Sequence, residues 1–245
     1  MNQKFSIQDL EPADVDPKKL RLFAIKLFTL AMACAVVIIY SYKKNTQRQD
    51  DVNRPPRVHP IKNKLQVSTL NDDEVAMTAI VTGKISLVVP VCVDQPQDAK
   101  VTLSSVEAIC LELNTEARAL TQIVLMSVNP EIDSPATMQK WINQDYDFSG
   151  VSVVLVDGPS ATQEEAEDTR HFAKKQFRFE PLYNDKNTKK WIFPTMVALV
   201  DTKKTFRGRY DFEEAYQAAP EYGKILESKL ISHINYLVTD SKKAN

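Results

Sequence analysis

An apolar run, Ile123 to Ser127, empties into Val128-Asn129-Pro130-Glu131-Ile132-Asp133-Ser134-Pro135, and this passage constrains the fold more than any other. A strand ladder cannot continue through Asn129-Pro130, because Pro donates no hydrogen bond and restricts the residue before it. Asp133 or Ser134 can then cap a helix that begins at Pro135, where a missing N–H is no loss. A strand that opens through an acidic, Pro-bracketed turn into a helix places that turn at the carboxyl edge of an α/β sheet. Ligands of open α/β sheets bind at that edge.

The rest of the chain supplies matching parts. Leu65–Leu70 and Val75–Val81 read as two extended segments around an acidic turn. Ile85–Val93 is β-branched and almost wholly apolar, as expected of a central parallel strand buried on both faces. A polar turn, Asp94–Lys100, leads to a helix whose capping-box spacing falls at Ser104 and Glu107. Its apolar stripe is Val106, Ile109, Cys110, Leu113 and Ala117. Helices are expected over Pro135–Gln144 and Thr162–Lys175, with a buried strand, Val151–Val156, between them. Trp191–Asp201 reads as one strand entered through Pro194, with Thr205–Tyr210 as its hairpin partner. Tyr222–Leu237 closes the order as a helix with Ile225, Leu226, Leu230, Ile234 and Leu237 on one stripe. Strands alternate with helices and an antiparallel pair comes late, which is the order of an α/β domain of thioredoxin type over residues 61–240.

Composition removes several function classes. With 31 basic and 32 acidic residues the net charge is −1, so nothing in the overall balance points to nucleic acid or another polyanion. Five glycines and no Gly-rich phosphate motif argue against a nucleotide cradle. The three cysteines (34, 92, 110) and three histidines (59, 171, 233) are isolated, which gives neither a disulfide framework nor a zinc site. Cys92 and Cys110 read as core thiols, His59 and His171 as solvated, and His233 as partly exposed beside the last helix's stripe. Glu131 with Asp133, Asp72-Asp73-Glu74, and Glu164-Glu165-Glu167-Asp168 read as turn or helix-start carboxylates rather than catalytic pairs.

Leu27–Tyr42 holds 16 residues without a charge, and Leu22–Ile25 extends the run beyond Lys26. About 20 apolar residues cross a bilayer, and flanking Lys/Arg with Tyr40 and Tyr42 suit its interfaces. The expected organisation is a polar tail (1–19), a single transmembrane helix (20–42), and a Pro- and charge-rich linker (43–60) that is extended near Pro55-Pro56. Basic residues flank the span on both sides, so charge sets no orientation.

The strand order, the passage Ser127–Pro135, and Val200-Asp201 followed by Arg207-Gly208-Arg209-Tyr210-Asp211 together resemble the Sco/SenC proteins. The resemblance covers roughly residues 20–240. It implies a membrane-anchored thioredoxin-like fold of the kind used by copper chaperones and thiol reductases in cytochrome c oxidase assembly. The family's passage reads S-V-D-P-x-x-D-T-P, so Asn129 and Ser134 are mild departures. Its chemistry, a C-x-x-x-C pair and a distant His, does not carry over. The two sulfurs would fall near Gln97 and Val101 and the imidazole near Phe193, and none of the three residues is a soft ligand. Phe193-Pro194-Thr195 persists, and by resemblance Pro194 is a candidate cis-proline whose neighbouring backbone can pair with an extended peptide.

The reading that follows is a non-catalytic, single-pass membrane protein with its domain in the periplasm or an equivalent outer compartment. It names no catalytic or metal residue and no cofactor. It expects a protein partner, met at the cleft between the Asp94–Val101 turn and Pro194. The alternative is a copper or thiol-redox protein that uses Cys92 with Met126 or Met196.

Overall fold

A computed structural model describes residues 17–62, 65–70, 74–157 and 163–243. The expected tail lies almost wholly outside these residues, as do the Asp72-Asp73 turn and the start of the helix expected at Thr162. The chain divides into two units, Met1–Asp51 and Val52–Asn245.

The first unit is built on helix α1 (Pro17–Asn53). Arg21–Ser41 within it has a mean hydropathy of 2.5 and exposed side chains, so its length and composition are sufficient to cross a membrane. The helix does not stop where the apolar run stops. Residues 43–53, expected as part of the linker, continue it, because no Pro or Gly interrupts them before Pro55.

In the second unit the rest of the expected linker is also ordered. Val58 N–H donates to Phe206 O (3.0 Å), and strand β1 (His59–Pro60) pairs antiparallel with β10 (Thr205–Asp211). The sheet runs β1-β10-β9-β4-β5-β6, where β4 is Ile85–Val91, β5 Thr121–Ser127, β6 Ser152–Val156 and β9 Met196–Val200. β4, β5 and β6 are parallel, while β9 is antiparallel to both β4 and β10. β4 and β5 are buried along their whole length, as their unbroken apolar runs require. β6 is an edge strand whose first residues are open, which corrects the expectation of a fully buried strand.

Alternation along the strands divides the core in two. Leu87, Val89, Ile123, Leu125, Val197 and Leu199 face helices α3 (Lys100–Glu112), α5 (Pro135–Asp145) and α8 (Pro220–Lys242). Val88, Val124, Met126, Ala198 and Val200 face Phe172, Phe177 and Phe179 on the other side. Those phenylalanines belong to α6 (Gln163–Phe172), a π-helical turn (Ala173–Phe177) and the residues after it.

Several boundaries differ from expectation for local reasons. α3 begins four residues before Ser104, so that serine lies inside the helix and caps nothing. A short second helix, α4 (Thr115–Leu120), is capped by Asn114 and carries Ala117. Val75–Val81 is only briefly extended: β2 (Gln66–Ser68) pairs with β3 (Glu74–Ala76), and Met77–Ile80 turns into the one-turn α2. Pro194 splits the expected Trp191–Asp201 strand. Trp191–Ile192 (β8) leaves the main sheet to pair with Tyr183–Asn184 (β7). α8 buries Leu230, Ile234 and Leu237, but Ile225 is exposed.

Candidate functional site

β4 and β5 run parallel, so their carboxyl ends open on the same edge. β4 exits through Cys92 into the 93–99 turn and α3, and β5 exits through residues 128–134 into α5. Ser134 is the cap that the passage allowed in two forms. Its hydroxyl accepts from Thr137 N–H, Thr137 answers at the Ser134 backbone, and Pro135 occupies the first helical position.

Asp133 has a different task. Its carboxylate accepts from the Ser127 hydroxyl (2.9 Å) and from Val93 N–H (3.3 Å), and Ser127 Oγ accepts from Asn129 N–H (3.0 Å). One side chain thereby ties both exit turns together. Asp133 is 1% exposed, and burial pushes its carboxyl up to about 6 although the Ser127 and Val93 bonds pull it down. Just past the end of β6, Asp157 is buried, and its Oδ1 has no hydrogen-bond partner among the described residues. Burial first, then the nearby Asp133 charge, pushes it up to about 7.

The thiols lie in unfavourable surroundings for chemistry. Burial and then the Asp133 charge push Cys92 up to about 12, and burial does the same to Cys110. Neither is a thiolate near neutral pH, and the thiolate is the reactive form. Cys92 sits just past the end of β4 rather than within it. It shares a core cluster with Met126 and Met196, the donors of the alternative reading.

Gln97, where the resemblance would put the first sulfur, lies in the turn before α3, and Val101, where it would put the second, lies in the first turn of α3; both are exposed. Phe193 is buried just after β8. A carboxamide, an isopropyl group and a benzyl group do not fit copper, which needs thiolate and imidazole here. The Phe193–Pro194 peptide is trans, contrary to the candidate cis-proline. Among the described residues the cis bond is Glu180–Pro181. Trans is the lower-energy isomer by about 0.5–1 kcal/mol even before proline. The backbone beside Pro194 is already in use: Thr195 O accepts from the Thr102 hydroxyl of α3 (2.5 Å), and the Thr195 hydroxyl donates to Glu213.

Side chains that the sequence did not single out join the edge together. Gln95 donates to Trp191 O (2.9 Å) and accepts from Trp191 N–H (2.7 Å), so one carboxamide imitates a strand partner for β8. Buried Arg170 lies 4.6 Å from the Trp191 ring centroid. The same guanidinium donates to both oxygens of Glu131 (2.9 and 3.0 Å) and to Glu167 (3.0 Å). Both exit turns, β8 and α6 are thereby linked. Outside this polar network the edge keeps exposed apolar side chains: Val101, Ile132 (62%), Tyr183 (54%) and Ile192.

The second passage of the resemblance is also accounted for by packing. Arg207 is buried and pairs with Asp201 Oδ2 (2.6 Å), Arg209 donates to Arg178 O, and Asp211 caps α7 (Phe212–Ala218). Tyr210 OH meets His233 Nδ1, and His233 is 3% exposed, which corrects its expected partial exposure. Burial lowers the His233 pKa below the usual imidazole range.

Comparison of the sequence with known families gives no match, and comparison with curated proteins gives none either. Solved structures do match. A SCO1/SenC family lipoprotein from Bacillus anthracis is 18% identical, with TM-score 0.52, covering 71% of this chain and 95% of its own. Arabidopsis thaliana ScoI with copper bound is 12% identical, with TM-score 0.53, covering 71% of this chain and 98% of its own. Yeast Sco1 with copper bound is 17% identical, with TM-score 0.52, covering 78% and 95%. At such identities a likeness is one of fold, and the chain therefore has the thioredoxin-like α/β fold of the Sco/SenC structures.

Proposed function

We propose that this protein is a membrane-anchored, non-catalytic binding or assembly factor on a Sco/SenC-type scaffold, acting in respiratory oxidase biogenesis. The observation that carries the reading is the composition of the ligand edge. Gln97, Val101 and Phe193 stand where the resemblance would put the family's ligands, and the Gln95–Trp191–Arg170–Glu131 network braces the surrounding turns. A braced polar edge with exposed Val101, Ile132 and Tyr183 suits protein contact better than metal exchange. The Arg21–Ser41 run supports the anchor, with the domain in the periplasm or an equivalent outer compartment. One solved relative is described as a member of a family of cytochrome c oxidase assembly proteins, which supplies the oxidase link.

The test uses the full chain in detergent, in a Cys34→Ser background so that only the two domain thiols report. Cys92 and Cys110 should resist a disulfide reagent until denaturant is added, and a chelator should strip all copper(I). In cells lacking the protein, wild type should restore assembled oxidase and Ile132→Asp should not. Full restoration by Ile132→Asp sinks the edge as the contact surface.

A second reading rests on Cys92, Met126 and Met196 sharing one core cluster. It predicts tight copper(I) binding that Cys92→Ser abolishes, and that result would replace the first reading.

A further inference from the structure

A groove of about 670 Å³ lies between β1 and the π-helical turn, lined by His59, Lys62, Lys175 and Arg178 among others. It adjoins a hollow of about 370 Å³ lined by Arg178, Glu180 and Arg209, so Arg178 borders both. This region lies by the β1 edge of the sheet and shares no residue with the β4–β5 edge.

The groove is formed by irregular backbone. In the π-helical turn both Arg178 N–H and Phe179 N–H (3.3 Å) converge on Ala173 O. Such turns occur often at functional positions. Arg178 closes it in the left-handed conformation (φ 61°, ψ 35°), which a non-glycine residue adopts only when its surroundings impose it. His59 Nε2 lies 3.0 Å from Gln176 O and so donates to it, which anchors β1 to the turn. An irregularity in β10 between Phe206 and Gly208 sends Arg207 inward to Asp201, while the exposed Arg209 reaches the Arg178 carbonyl.

Among the described residues, Lys62, Lys175 and Arg178 have no carboxylate partner, and Glu180 is the sole acid lining either hollow. The cations come from segments more than 100 residues apart, as His59 and Gln176 are (separation 117). A solvated helix face does not explain such convergence. The chain's net charge of −1 is silent on it, because an overall balance averages over local clusters. Unpaired cations in a concave site form charge-assisted bonds with an incoming anion, and the arginine fork matches phosphate oxygens. We propose that this groove binds a phosphate-bearing anion, either a soluble phosphate compound or the phosphate of an acidic lipid headgroup. The proposal is independent of the function assigned to the β4–β5 edge.

The test follows lysine acetylation by mass spectrometry in the full chain, reconstituted in nanodiscs of zwitterionic lipid. One arm adds inorganic pyrophosphate, and the other replaces part of the lipid by an acidic phospholipid. Acetylation of Lys62 and Lys175 should slow about threefold or more at saturation in at least one arm, while Lys140 on α5 stays unchanged. Slowing in the first arm identifies a soluble phosphate ligand, and slowing in the second identifies a headgroup. The double change Lys175→Glu, Arg178→Glu should abolish the slowing at Lys62, with far-UV circular dichroism unaltered. Unchanged rates in both arms, equal slowing at Lys140, or slowing that survives the charge reversal overturns the proposal.

Discussion

Among the described residues Arg207 is the largest fully buried side chain, and its charge is matched by Asp201 at 2.6–2.8 Å. Asp201 also accepts from Lys203 and Thr205 N–H, and Arg207 donates to Pro55 O, so the pair joins the β9–β10 turn to the entry segment. Removing one member leaves an uncompensated buried charge. Arg207→Ala should cost about 3–5 kcal/mol in urea unfolding, and a cost under 1 kcal/mol would show that water already screens the pair. Asp133 and Asp157 act in the opposite sense. Both hold a proton more tightly in the folded domain, up to about 6 and about 7 against an ordinary 3.8. Between about pH 4 and pH 7 the folded state therefore binds more protons than the unfolded chain, and stability falls as pH rises through that window. At ~1.4 kcal/mol per pKa unit the two shifts bound the loss at about 7 kcal/mol, and partial relaxation of the site should reduce it to a few kcal/mol. Asp157→Asn should flatten the slope and be more stable than wild type at pH 8, as read by denaturant midpoints at each pH.

Among the elements, the β7–β8 hairpin depends on a side chain from elsewhere. Gln95→Ala removes both bonds to the Trp191 backbone, so the Trp191 amide should exchange hydrogen at least about tenfold faster, a change of ~1.4 kcal/mol in local opening. Amides of β5 should not change; if they do, the carboxamide supports the whole domain rather than the hairpin. The α7–α8 contact sets another limit. A Cβ at Gly223 would lie 2.4–2.5 Å from the Tyr216 ring. That ring is held by its hydroxyl bond to Glu227 (2.6 Å) and cannot swing freely away. Gly223→Ala should cost about 1–3 kcal/mol through overpacking and lower the melting temperature by several degrees.

At the scale of the molecule, scaffold and chemistry are separable. By the resemblance, the turn before α3 and the start of that helix would carry a C-x-x-x-C pair, and this chain has Gln97 and Val101 there. Gln97→Cys with Val101→Cys should give the full chain copper(I) binding tighter than that of wild type, read by competition with a chromogenic chelator. No gain in binding would mean that the Gln95 brace and the buried Phe193 close the site even to restored sulfur.

The sequence by itself determined what repeats locally: buried runs for β4 and β5, helical stripes for α3 and α8, the helix start at Pro135, and the apolar run of α1. It also identified the Ser127–Pro135 passage as a fold marker, because a prolyl break and a capping residue act within a few positions. Only the tertiary structure decided which side chains brace that edge. Glu131 and Arg170 are 39 residues apart, and Gln95 and Trp191 are 96 apart. The same holds for His233, whose burial depends on Tyr210 from another element, and for the cations of the β1 groove. Hydrophobic period is written along the chain, whereas a polar partner is chosen by proximity in space, which no local pattern records.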